Sequence, residues 1–212
     1  MASQATALAA FALACAASAS AQDTYLLPPQ SSVAGMSQAD WSRAWWQWAA
    51  SFERSQSPVA DTTGALCAQG QSGPVWFLAG TYGTRRTIRS CTVPRGKYLF
   101  FPLINYVVAR SVDEPSECAA IQNTAARITN EASMLVLELD GQKVTDLAAH
   151  RQVPQDCFDL GVRTPNKVRI FPAAANGYYV MLKPLPPGKH TIQFGGALPS
   201  MLQAVSYTLV VE

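Results

Sequence analysis

The sequence predicts a mainly β protein, an antiparallel β-sandwich of the jelly-roll or Ig-like kind with two packed helices. Three observations point there. From residue 74 onward, short apolar runs alternate with turns rich in Gly and Pro. Only two stretches, about 38–54 and 115–130, carry apolar residues at helical spacing. No alternation of strand and helix signals a parallel βαβ sheet, so the layers are expected to be sheet on sheet.

In chain order, residues 22–36 contain Pro28-Pro29 and no periodicity, and read as an extended arm ahead of a domain spanning 37–212. Ser37 with Asp40 three positions later resembles a capping box, with Met36 and Trp41 as its hydrophobic staple. The first helix should stop before Ser57-Pro58. "PVWFLAG" (74–80) and "RTIRSCTV" (86–93) are expected to pair across a turn at Tyr82-Gly83-Thr84, and "KYLFFPLINYVV" (97–108) forms a third strand broken by Pro102. In the second helix, Cys118, Ile121, Ala125 and Ile128 share a face. Asp140-Gly141, between apolar runs, is the favoured two-residue hairpin turn because both positions need positive φ. Pro187-Gly188 suits a type II turn, and Val205, Tyr207 and Leu209 alternate with Ser206 and Thr208 in a half-buried last strand.

The first 21 residues have an apolar centre around Leu8–Ala17 and end in Ala19-Ser20-Ala21, which reads as a secretory signal peptide and predicts a secreted or periplasmic protein. A lipid anchor at Cys15 is the weaker reading, because Ala12-Leu13-Ala14 does not fit a lipoprotein signal. The four later cysteines are even in number, as expected for two disulfides in an exported chain. Of the three connectivities, sequence order favours Cys67 with Cys91 and Cys118 with Cys157. No cysteine pair has the close spacing of a zinc site, and the Gly-rich stretch lacks the Lys-Ser/Thr of a phosphate loop, so no metal or cofactor is expected. A net charge of +2 implies no nucleic-acid partner, and no later apolar run is long enough to span a bilayer.

The blocks "WWQWAASF", "GQSGPVWFLAG", "VPRGKYLFFPLIN" and "LPPGKHTIQFGG" together resemble exported bacterial proteins of unassigned function, over less than half of the mature chain. That resemblance implies export and a mostly β domain, and implies no activity.

Four tryptophans fall within the eight residues 41–48. At 100° per residue, Trp41, Trp45, Trp48 and Phe52 form one stripe, the expected core face, with Arg43, Gln47 and Arg54 opposite. Trp46 falls on the polar side between Ser42, Ala50 and Glu53. Either the arm residues Tyr25, Leu26 and Leu27 cover it, or it faces a ligand or a partner. Asn105 and Tyr106, just past Pro102, are candidates for a pocket rim. Arg85 and Arg89 share a strand face and form a candidate anion site, against the plainer reading of a charged edge hairpin.

Catalytic candidates are fewer. Asp61 in "DTTGA" resembles the Asp-Thr-Gly of aspartic proteases with an extra Thr and no second copy. Ser72 in "GQSGP" lacks the spacing of a nucleophile elbow. His190 starts an apolar strand face, His150 sits in a polar segment, and carboxylates such as Glu138 show no paired spacing.

The expectation is therefore a binding module for carbohydrate or another extracellular polymer, with Trp46, Asn105, Tyr106, Arg85 and Arg89 as contacts. A secreted hydrolase using Asp61, His190 or Glu138 is the second reading, and an envelope assembly protein the third. The oligomeric state is open.

Overall fold

The structure, a computed structural model, describes residues 25–83, 86–110, 117–166 and 168–212. The predicted signal peptide, Cys15, the start of the arm, Arg85, Thr84 and the first residues of the second predicted helix lie outside the described residues.

The chain forms α1 (Gln38–Ala49), β1 (Val75–Phe77), β2 (Thr87–Val93), β3 (Tyr98–Ala109), α2 (Cys118–Thr129), β4 (Ser133–Leu139), β5 (Gln142–Lys143), β6 (Arg151–Gln152), β7 (Ala173–Leu182), β8 (Gly188–Leu198) and β9 (Met201–Val211). These strands make a four-stranded sheet, ordered β1-β3-β7-β6, and a five-stranded sheet, ordered β2-β9-β8-β4-β5. Apolar residues of both sheets meet in one core. Leu99, Phe101, Val180 and Leu182 from the first pack with Leu137, Ile192, Phe194, Val205, Tyr207 and Leu209 from the second.

Strand direction is mixed rather than antiparallel throughout, since β1 pairs with β3 and β2 with β9 in parallel. The expected hairpin between the 74–80 and 86–93 runs does not form, because β1 and β2 belong to different sheets. The residues explain why. Trp76 and Leu78 enter the core between the sheets while Val75 and Phe77 pack with the tryptophan helix. A run apolar on both faces needs cover on both, and an exposed edge hairpin supplies only one.

α1 lies on the outer face of the four-stranded sheet, where Trp41, Trp45 and Trp48 pack with Phe77, Phe100, Tyr179 and Met181. Each of these three indoles gives its N–H to a backbone carbonyl, of Val33, Leu78 and Gln69 respectively. Ser37 caps the helix by accepting from Asp40 N at 3.1 Å. The helix is shorter than its periodicity suggested. It ends at Ala49, and the chain turns so that Phe52 reaches Trp48 with ring centroids 5.9 Å apart.

Pro102 does not break β3. The strand continues through a bulge, with the register shifting between Pro102 and Ile104. The buried Gln203 of β9 donates its Nε2 to the Pro102 and Leu103 carbonyls at 2.7 Å each, satisfying groups that the bulge removes from the ladder. Beyond the bulge, Asn105 lies on the α1 side of the sheet, within reach of Tyr179.

Asp140 and Gly141 have φ of 50° and 80°, the double positive φ expected of their hairpin turn. β9 alternates buried and accessible residues as predicted. The disulfides are Cys67–Cys91 and Cys118–Cys157, with Cα–Cα distances of 6.0 and 5.8 Å. Among the described residues, no helix is long and apolar enough to cross a membrane.

Candidate functional site

Trp46 is half-buried, and no arm residue lines the space beside it. Leu26 and Leu27 instead bond along the end of β7, through a bridge to Leu182 and a hydrogen bond to Met181 O. Cover for Trp46 comes from the segment between β6 and β7. Phe158, Leu160 and Ile170 pack there with Trp46, Ala50 and Val107, and Gln47 ties the segment to α1 by donating to Asp159 O at 2.9 Å. The cover is incomplete, and what it leaves open is a cavity of about 400 Å³.

Six parts of the fold build that cavity. Helix α1 with its C-cap supplies Trp45, Trp46, Ala49 and Ala50, and β3 supplies Asn105, Tyr106 and Val107. The remaining wall is Val59, Thr81 and Tyr82 from two loops, Leu160 from the covering segment and Met201 from the start of β9. None of these side chains is charged. The arrangement suits a neutral ligand with an apolar face and a few polar groups, in the usual size range of about 300–1,000 Å³.

The floor is polar and buried. Asn105, 4% exposed, has its Nδ2 3.0 Å from the Tyr179 hydroxyl, and Tyr179 is fully buried. Burial pushes the Tyr179 hydroxyl well above the usual tyrosine range, tempered by Asn105 and Trp46, so it stays protonated at any physiological pH. The Trp46 N–H is close enough to that hydroxyl to favour its ionised form yet lies outside hydrogen-bond geometry, and it has no other partner. Gly177, opposite Asn105 in the ladder, leaves room for this floor, since a Cβ there would fall 2.6 Å from Asn105 Cα.

Thus the fold places Trp46, Asn105 and Tyr106, three residues distant in sequence or hidden in apolar runs, around one space. The other candidates lie elsewhere. Arg85 is outside the described residues. Arg89 is 1% exposed and is neither an open anion site nor an edge charge. Its guanidinium donates to the carbonyls of Asp61, Ala79, Gly80 and Val59 at 2.8, 2.6, 2.9 and 3.1 Å and to the Tyr207 hydroxyl at 3.1 Å. It binds together the two loops that carry Val59, Thr81 and Tyr82 into the cavity wall.

Asp61 is held by its own turn, accepting from Thr63 N, Thr63 Oγ1 and Leu66 N at 2.8, 2.8 and 2.9 Å. Burial acts to raise its pKa, but the hydrogen bonds from Leu66 and Thr63 and the nearby Arg89 charge outweigh that and leave it below the usual carboxylate value. Glu138 accepts from Gln193 at 2.9 Å. His190 meets Asp140 at 2.8 Å and the Pro186 carbonyl at 2.9 Å, where two turns abut. None of Asp61, Glu138 and His190 lines the aromatic cavity. His150 is buried rather than exposed, and its Nδ1 has no partner. Among the described residues, no group of three or more His, Cys, Asp or Glu side chains could hold a metal ion.

Sequence reading missed Tyr179, Thr81, Tyr82, Leu160 and Met201. For Tyr179 a sign exists, because it alternates with Met181 on the face of β7 that meets the helix. Leu160 sits in an aperiodic stretch and offers none.

No protein-family model and no curated protein matches the chain. Among solved structures, a chain described as "Structure of PbICP-C in complex with falcipain-2" aligns at a TM-score of 0.27 and 9% identity, covering 66% of this chain and 100% of that one. A likeness that small carries no argument about fold or activity.

Proposed function

We propose that this chain is an exported β-sandwich module that binds a neutral ligand in the aromatic cavity, the ligand being a sugar ring of an extracellular polymer. The observation that supports this is the cavity itself, about 400 Å³, lined by Trp46, Tyr82, Tyr106 and Asn105 with no charged side chain. Sugar rings present C–H faces that stack on indole and phenol rings, while their hydroxyls require a few placed polar groups, here Asn105 and Thr81. Export rests on the apolar leader ending in Ala-Ser-Ala and on the two disulfides.

The test is titration of the mature chain with soluble neutral oligosaccharides, read by tryptophan fluorescence, with Trp46→Phe alongside. The expected result is a saturable spectral change, weakened several-fold by the substitution, in line with the ~0.5–1.5 kcal/mol that an aromatic contact contributes beyond its buried area. A flat titration across the panel would remove the proposal's support.

A further inference from the structure

The orientation of one carboxamide decides what this cavity recognises, and the two ends of Asn105 have nearly the same shape. Which end faces Tyr179 is therefore settled by donor and acceptor supply rather than by packing. With Nδ2 toward the hydroxyl at 3.0 Å, the Tyr179 oxygen is met by Asn105. The hydroxyl then accepts from Asn105 while its own proton has no acceptor in a fully buried site. Turned over, the same pair satisfies that proton: the Tyr179 O–H donates to Asn105 Oδ1, and the Asn105 NH₂ is left toward the cavity.

Resting on the proposed site, we infer that Asn105 adopts the turned orientation and that the cavity reads a hydrogen-bond acceptor, the carbonyl of an acetamido group on a neutral sugar. The Asn105 side chain is more than nine-tenths buried, lines the cavity, and has no protein partner for the end away from Tyr179. A hydroxyl would also accept from that NH₂, and the Thr81, Tyr82 and Tyr106 hydroxyls on the same wall can take its proton as they can take the N–H of an acetamido group. What favours the acetamido group is its methyl, which suits the aliphatic walls Ala49, Ala50, Val59 and Val107, while its carbonyl accepts from Asn105.

The experiment uses the ¹⁵N-labelled mature chain and needs no substitution to begin. In the free protein, the Asn105 NH₂ protons are expected to exchange with water. An Asn105 NH₂ protected in the free protein would overturn the inference. Chitotriose and cellotriose, neutral probes that differ in acetamido against hydroxyl, are then titrated. Chitotriose is expected to bind several-fold tighter, the size of one buried methyl group. It should also shift the Asn105 NH₂ resonances, and Asn105→Asp should abolish the preference. Equal affinity for the two probes, with sensitivity to Trp46→Phe, would leave the binding site standing and sink the acetamido assignment. Binding of neither would sink both.

Discussion

Replacing Arg89 with methionine keeps the length and apolar stem of the side chain and removes its donors. Four backbone carbonyls, those of Val59, Asp61, Ala79 and Gly80, then lose a charged partner at 2.6–3.1 Å, and the Tyr207 hydroxyl loses a fifth bond. Deleting both members of a buried polar pair is often harmless, but a backbone carbonyl cannot be deleted. Each one stranded costs about 1–3 kcal/mol. Water reaching Asp61 and Arg89 through the small surface pocket they line relieves part of this, so the expected loss is about 3–5 kcal/mol, as for other broken buried networks. At a urea slope of about 2 kcal/mol/M, a loss of about 4 kcal/mol lowers the unfolding midpoint by about 2 M. Urea denaturation followed by tryptophan fluorescence reads this directly. Arg89→Lys, which keeps the charge and three donors, should fall between the two. A methionine variant within about 1 kcal/mol of the parent would show that the loops hold themselves and that Arg89 does not set the cavity wall.

Two further outcomes follow from buried groups. Burial lowers the pKa of His150 below its ordinary 6.5, so the folded chain refuses a proton that the unfolded chain accepts. Stability should therefore be full above about pH 6.5 and decline as pH falls from there toward the folded pKa, and thermal melts at a series of pH values should show His150→Leu lacking that component. Gly177→Ala places a Cβ 2.6 Å from Asn105 Cα and Cβ and 2.7 Å from Ile104 O, where only backbone movement makes room. It should cost about 1–3 kcal/mol in chemical denaturation and weaken ligand binding more than an alanine at an exposed strand position.

What the sequence could reveal was local. The tryptophan stripe, the Asp140-Gly141 turn and the alternation of β9 are each decided within one element, and each is read from periodicity or from the φ that a turn demands. Number and order favoured the cysteine pairs that form, out of three connectivities. What remained hidden depends on which segments meet. Parallel pairing of β2 with β9 joins residues such as Thr87 and Val205, and no local pattern encodes it. Arg89 reads as a surface charge until the carbonyls of two distant loops converge on it. Pro102 reads as a strand breaker because the Gln203 amide that accommodates the bulge lies about a hundred residues away. At the site, helical rotation sets Trp46 apart from its neighbours, while the identity of its cover, Phe158 and Leu160, depends on a stretch without periodicity.

The position of β9 also constrains when the molecule can form. It lies between β2 and β8, and its partners on β2 run from Thr87↔Val205 to Val93↔Val211. The five-stranded sheet therefore stays divided until residues near 211 are available, and non-local pairing of this kind slows folding. A chain truncated before Met201 would present β2 and β8 with bare strand edges facing each other across a gap, a template for pairing with other chains. Pairing of β9 with both of its neighbours thus completes the five-stranded sheet, and molecules lacking β9 should be prone to aggregation.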